Sequence, residues 1–130
     1  MRVVDNSAVI AVLLGPEPAA RTLEARLSKE EMAAPELIDI EALHTIRRLH
    51  RNGVLDETKA ARAIDAFGGL GIERFPHRAL LPRMWELRDN LTAYDAAYVA
   101  LAELLGVALL TADARFAGAP GIRCAVELIS

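Results

Sequence analysis

Short runs of β-branched and apolar residues alternate along the chain with longer stretches whose apolar positions recur every three or four residues. That is the pattern of strands separated by helices. Arg2-Val3-Val4 reads as a strand that stops at Asp5-Asn6-Ser7, where Asn6 or Ser7 can cap a helix over Ala8–Leu14. Gly15-Pro16-Glu17-Pro18 breaks that helix, and Ala19–Leu27 reads as a second one with Leu23 and Leu27 one turn apart. Met32-Ala33-Ala34 reads as a short strand ending at Pro35. Glu36–Arg51 then carries the stripe Ile38, Ala42, Thr45, Ile46 and Leu49 and closes on Asn52-Gly53. Asp56 can cap a helix over Glu57–Phe67, which Gly68-Gly69 ends. A strand is predicted over Gly71–Phe75, and helices over Arg78–Asp89 and Thr92–Leu105, the second stopped by Gly106. Val107–Leu110 is a strand of the buried type, Ala114–Ala117 a single turn and Ile122–Leu128 a last strand. This alternation predicts one α/β domain over residues 1–130, a three-layer α/β/α arrangement around a central, mostly parallel sheet.

Composition narrows the class. The chain has 130 residues, about one domain, and area scaling lets it bury about two thirds of its surface. With 53% hydrophobic and 25% charged residues it is not a disordered chain. No apolar run approaches the ~20 residues of a membrane helix, and Asp5 stands where a secretory signal would be apolar. A lone cysteine, Cys124, cannot form an internal disulfide. A soluble protein of a reducing compartment, the cytoplasm, is expected. Acids outnumber bases 18 to 15, so contact with a polyanion needs a local basic patch or a cation that offsets some acids. All the bases but Lys29 and Lys59 are arginines, which suit forked contacts to phosphate, though a codon bias toward Ala and Arg gives the same count.

In an open parallel sheet, ligands bind at the carboxyl ends of the strands, and right-handed crossovers bring each following helix N-terminus to that edge. Four acids fall there. Asp5 follows the first strand, Glu41 lies in the second turn of the helix after the second strand, Asp95 is three residues past Thr92, and Asp113 follows the Val107–Leu110 strand. Each has a structural alternative. Asp5 can cap a helix, Glu41 can pair with a helix base, Thr92-Ala93-Tyr94-Asp95 is close to a capping box, and Asp113 can be a turn residue. Together, however, four carboxylates at one edge would repel and protonate unless a cation neutralised them, and an all-oxygen set suits Mg²⁺ or Mn²⁺.

At these residues the chain resembles the PIN domain, and more narrowly the VapC-type toxins of bacterial toxin–antitoxin pairs. The matching stretches are Val3–Ala8, Ala34–Glu41, Leu91–Ala102 and Leu109–Arg115, in family order and at family spacing. The Tyr94-Asp95 and Thr111-Ala112-Asp113 pieces are the more specific. Asn6 departs mildly from the alanine or threonine common after the first aspartate. The resemblance implies a metal-dependent endoribonuclease in which Asp5, Glu41, Asp95 and Asp113 bind the metal. Ser7 and Thr111 resemble the hydroxyl positions that orient metal water. It further implies in-line attack that leaves a 5′-phosphate, a homodimer, and a VapB-type antitoxin whose tail blocks the site with a basic side chain.

RNA would need positive charge, and two basic clusters offer it: Arg47, Arg48, His50 and Arg51, and the run from Arg74 to Arg88. Arg48 and Arg78 are expected nearest the substrate, although bases near a helix C-terminus are also favoured by its dipole. His44, His50 and His77 are expected at the surface or against a partner. Apolar residues of Ala60–Leu70 and Leu80–Leu87 can supply a dimer or antitoxin surface, but Leu80, Leu81, Met84 and Trp85 read slightly better as core. A haloacid-dehalogenase-like phosphatase would want a second Asp where Ser7 stands and a late lysine, which is missing. A catalytically degenerate module that only binds RNA or protein would be expected to have lost an acid, and none is lost.

Overall fold

The computed structural model describes residues 1–129. Its five strands are all parallel: β1 (Arg2–Val4), β2 (Met32–Pro35), β3 (Ile72–Phe75), β4 (Ala108–Thr111) and β5 (Val126–Leu128), in the order β3-β2-β1-β4-β5. The chain builds the sheet outward from β1 on one side, then returns to add β4 and β5 on the other. The strand order therefore reverses between β1 and β4, the position at which parallel sheets open a crevice.

Six helices cover the sheet: α1 (Asn6–Leu14), α2 (Ala19–Leu27), α3 (Leu37–Arg51), α4 (Glu57–Gly68), α5 (Leu81–Glu86) and α6 (Ala93–Leu105). Helix α1 packs with α2, α3 and α4 on one face, while α6, with α5 behind it, lies against β1, β2 and β4 on the other. The result is the three-layer α/β/α architecture that the alternation predicted. Every residue of α6 from Ala96 to Ala102 is buried, and the small Ala96, Ala97, Ala100 and Ala102 let this helix sit close across the strands. Val3, Val4, Ala33, Ala34, Leu109 and Leu110 are inaccessible to solvent on both faces, which is why parallel strands read as continuous apolar runs. A second cluster, Ile46, Leu55, Ala60 and Ala63, joins α3 to α4.

The elements depart from expectation where proline, glycine or a capping side chain intervenes. Helix α1 starts earlier than the pattern suggests because Asp5, not Asn6 or Ser7, is its N-cap and accepts from the Ala8 N–H. The stretch over Arg78–Asp89 is not one helix: a 3₁₀ turn at Arg78–Leu80 hands over to α5, whose first turn carries Pro82. The last strand is only Val126–Leu128; Pro120 and Gly121, the latter at φ +83°, keep the preceding segment irregular. Leu80 and Leu87 are core, but Leu81 and Trp85 are exposed, Trp85 by 68%, against the preference for core. His77 and His50 serve the fold: His77 Nε2 accepts from the Leu37 N–H at the start of α3, and His50 Nδ1 bonds the Leu55 carbonyl. Among the described residues no helix is long and apolar enough to cross a membrane.

Candidate active site

The register places the first site residues. Val4 pairs with Leu110, and the Asp5 N–H donates to the Leu110 carbonyl, so β1 and β4 end side by side at the point of strand reversal. Asp5 leaves β1 there, only 5% exposed. Its Oδ1 accepts from Ser7 Oγ at 2.7 Å and from the Ala8 N–H at 2.9 Å, and its Oδ2 accepts from Thr111 Oγ1 at 2.6 Å. Thr111, fully buried at the end of β4, also accepts from the Asp113 N–H, and Ser7 Oγ accepts from the Ala112 N–H. The two hydroxyls thus lock the ends of both strands around one carboxylate. Burial nevertheless pushes the Asp5 carboxyl above its ordinary value, with Asp113 adding to the rise and the three donors opposing it.

Glu41 approaches from α3, in its second turn, and Asp95 from the first turn of α6 on the opposite face of the sheet. Tyr98, 1% exposed and one turn after Asp95, donates its hydroxyl to Glu41 Oε1 at 2.6 Å and so bridges the two outer layers over the sheet edge. Desolvation raises the Glu41 carboxyl, helped by the fields of Asp95 and Asp5. It also raises Asp95, helped by Asp113 and opposed by Arg115 and Thr92. The same burial, with Glu41 as its acceptor, pushes the Tyr98 phenol far up, so it stays a donor. Thr92 caps α6 by accepting from the Asp95 N–H, half of the capping box the sequence suggested. Asp113 differs: the Arg115 guanidinium, forked onto both its oxygens at 2.6–3.0 Å, holds it below the usual carboxylate range. Thr92, Asp95, Asp113, Arg115 and Phe116 line a cleft at this edge.

All four predicted acids therefore stand at one edge and act on one another electrostatically. As the side chains lie, Asp5, Glu41 and Asp113 are each engaged by hydrogen-bond donors, and among the described residues no three Asp, Glu, His or Cys groups are gathered closely enough to hold a metal ion. The donor set still fits a hard divalent cation in kind: all ligands are carboxylate oxygens, three of them raised by burial and mutual repulsion that a cation would relieve. The fit is of chemistry and place, not of a finished cage.

Arg48 is exposed on α3 two turns beyond Glu41, and Arg78 is exposed just after β3, at the far side of the sheet from β4. Neither is the base bonded to the acids. Arg115 is, through Asp113, and neither it nor Tyr98 is among the site residues the sequence predicts. The available signals were spacing alone: Tyr98 lies three residues from Asp95 on one helix face, and Arg115 two residues from Asp113. Asn6 donates to Thr45 Oγ1, and its own Oδ1 is buried without a partner, so the residue that departs from the family pattern ties α1 to α3 beside Glu41.

The chain matches the family described as PIN domain over residues 2–122. It is 42% identical over 128 residues to Ribonuclease VapC1 of Mycobacterium tuberculosis, covering 98% of this chain and 96% of that one. Ribonuclease VapC9 of the same organism is 39% identical over 129 residues, with 99% and 98% covered. The crystal structure of VapBC2 from Rickettsia felis bound to a promoter DNA fragment superposes with a TM-score of 0.72 at 14% identity over 99% of this chain and 98% of that one, a likeness of fold.

Proposed function

We propose, from the premise that this chain belongs to the PIN-domain family, that it is a divalent-metal-dependent endoribonuclease and the toxin of a toxin–antitoxin pair. The observation that carries this reading is the convergence of Asp5, Glu41, Asp95 and Asp113 on the edge where the strand order reverses, with three of them raised by burial and one another's charge. The names of the related ribonucleases supply the substrate class. Haloacid-dehalogenase chemistry loses ground because Ser7, where that class needs a second acid, is spent as a donor to Asp5.

In this reading Asp5, Asp95 and Asp113 hold Mg²⁺ or Mn²⁺, directly or through water. When bound, the cation lowers the pKa of water and offsets the charge of the scissile phosphate against the acids. Ser7 and Thr111 fix both Asp5 oxygens, so the carboxylate presents one orientation. Tyr98 holds Glu41 by Oε1, leaving Oε2 to orient the attacking water and take its proton. Attack in line with the departing 3′-oxygen leaves a 5′-phosphate on the downstream fragment. A VapB-type antitoxin and a second copy of the chain are the expected protein partners. The exposed Ile40, Leu43 and Ile64 on α3 and α4, and Leu81 and Trp85 on α5, are among the apolar surfaces available to them.

The test is induced expression of wild type beside Asp5→Asn and Asp95→Asn, with purified protein assayed on RNA. Growth arrest and cleavage that EDTA removes and Mg²⁺ or Mn²⁺ restores are expected of wild type alone. Equal toxicity of all three would instead favour the module that only binds RNA or protein.

A further inference from the structure

The geometry points to Arg115 as a resident counter-ion of the site that gives up Asp113 to the metal and takes the RNA phosphate instead. The inference rests on the ribonuclease reading above. Its basis is the contrast between the two ends of one ion pair. The Arg115 guanidinium donates from Nε to both Asp113 oxygens and from Nη2 to Oδ2, so both carboxylate oxygens are engaged. Yet the Arg115 side chain is 81% exposed against 24% for Asp113. Exposed ion pairs are weak because water screens them and holding a long side chain in one geometry costs entropy. A divalent cation, with twice the charge and no chain entropy to lose, displaces such a partner readily.

The freed guanidinium does not drift far. Arg115 is the second residue of a 3₁₀ turn, Ala114–Gly118, whose Phe116 is buried, and its own N–H is bonded to Asp113 Oδ1. Its field also reaches Asp95. It therefore stays at the mouth of the cleft it shares with Asp95, Asp113 and Thr92. A planar fork at that position matches the two non-bridging oxygens of a phosphodiester. The chain is acidic overall, and Arg115 is the one base bonded to a site acid among the described residues. The cation and the arginine are thus arranged in succession: the pair keeps Asp113 neutralised while the site is empty, and separates it into a metal ligand and a phosphate clamp when the site fills.

The experiment measures two equilibria on wild type, Arg115→Ala and Arg115→Lys. The first is Mn²⁺ affinity of the protein alone, by calorimetry. The second is affinity for a fluorescein-labelled RNA oligonucleotide with natural phosphodiesters, by anisotropy in Mn²⁺ read before turnover, with gel electrophoresis checking that the RNA is intact. Thermal melts check folding, which an exposed side chain leaves unchanged. Arg115→Ala is expected to bind Mn²⁺ at least about fivefold more tightly, because a competing positive charge is gone. It should bind RNA about tenfold more weakly, because a charge-assisted fork is lost. Arg115→Lys, which keeps the charge without the fork, should retain the wild-type Mn²⁺ affinity and recover RNA binding only in part. Wild type that binds Mn²⁺ no more weakly than Arg115→Ala overturns this inference and leaves the ribonuclease reading standing. Wild type that binds no divalent cation overturns both.

Discussion

Thr111→Val replaces a buried hydroxyl with a methyl of nearly the same volume, so its cost is chemical and not a cavity. In wild type the hydroxyl donates to Asp5 Oδ2 at 2.6 Å and accepts from the Asp113 N–H at 3.0 Å. Its removal deprives a carboxylate that is only 5% exposed of one of three donors and orphans one backbone N–H. A hydrogen bond to a charged group is worth about 1.5–3 kcal/mol, so a loss of about 2 kcal/mol is expected at neutral pH. For this chain length that lowers the melting temperature by roughly 7 °C. The sign of the pH dependence follows from linkage. The hydroxyl favours ionised Asp5, so the variant's folded-state pKa, already raised by burial, rises further. The destabilisation is therefore full above that raised pKa and shrinks as pH falls toward the ordinary carboxylate value, where Asp5 is protonated in both folded proteins. Urea denaturation of wild type and Thr111→Val at pH 8 and at about pH 4, near the ordinary carboxylate value, measures it. In an Asp5→Asn background the same substitution should cost at least about 1 kcal/mol less, since the charge it served is gone. A penalty that is equal at both pH values, or unchanged in that background, would show that the hydroxyl does not act through Asp5.

Asp5→Asn itself should melt higher than wild type at pH 8. Asparagine caps a helix as well as aspartate, and the folded state no longer holds a buried charge. Because Asp5 keeps its proton to higher pH when folded than when unfolded, this advantage appears above the ordinary carboxylate pKa, grows through the raised folded value, and closes in acid; a variant less stable than wild type at pH 8 would contradict it. Tyr98→Phe removes the donor to Glu41 with no change in ring packing, so RNA cleavage should slow about tenfold in kcat with little change in KM; an unaltered kcat would mean that Tyr98 does not position Glu41. Glu103→Ala removes the carboxylate bonded to Arg83 at 2.6 Å, both side chains being mostly buried, and leaves Arg83 only the Gly121 carbonyl and Glu86. It should cost about 2 kcal/mol in urea denaturation. Arg83 holds the Glu103 carboxyl below its ordinary value, so in wild type that stability is present above the ordinary carboxylate pKa and is lost as pH falls through the lowered one. A variant that keeps a full deficit at pH 3 would refute the assignment.

The sheet edge was legible because it needs only topology. Once strands and helices alternate, the residue after each strand has a known address, and Asp5, Glu41, Asp95 and Asp113 could be assigned to one side from order alone. The caps Asp56 and Thr92 and the stop at Gly106 were equally local and fell where expected. What escaped depended on side-chain direction. Tyr98 sits in an apolar helix and reads as core, which its ring is, while its hydroxyl serves Glu41 some 57 positions away. Arg115 follows Asp113 too closely for periodicity to say whether it turns back. Trp85 has the hydrophobicity of a core residue and lies on α5, a helix too short to have a clear buried stripe. His77, whose type suggests chemistry, instead closes the start of α3 from the end of β3, a contact between segments 40 residues apart.

Tyr98 and Thr111 also join the site to the fold in a way that limits how the chain can fail. The carboxylates come from segments spread between positions 5 and 113, and the bonds that aim them run between layers and between neighbouring strands. No contiguous fragment short of nearly the whole sequence carries the full constellation. A chain that stops short of Asp113 consequently lacks the full set, and in the proposed reading hazardous chemistry becomes available to the cell only once β4 has joined the sheet.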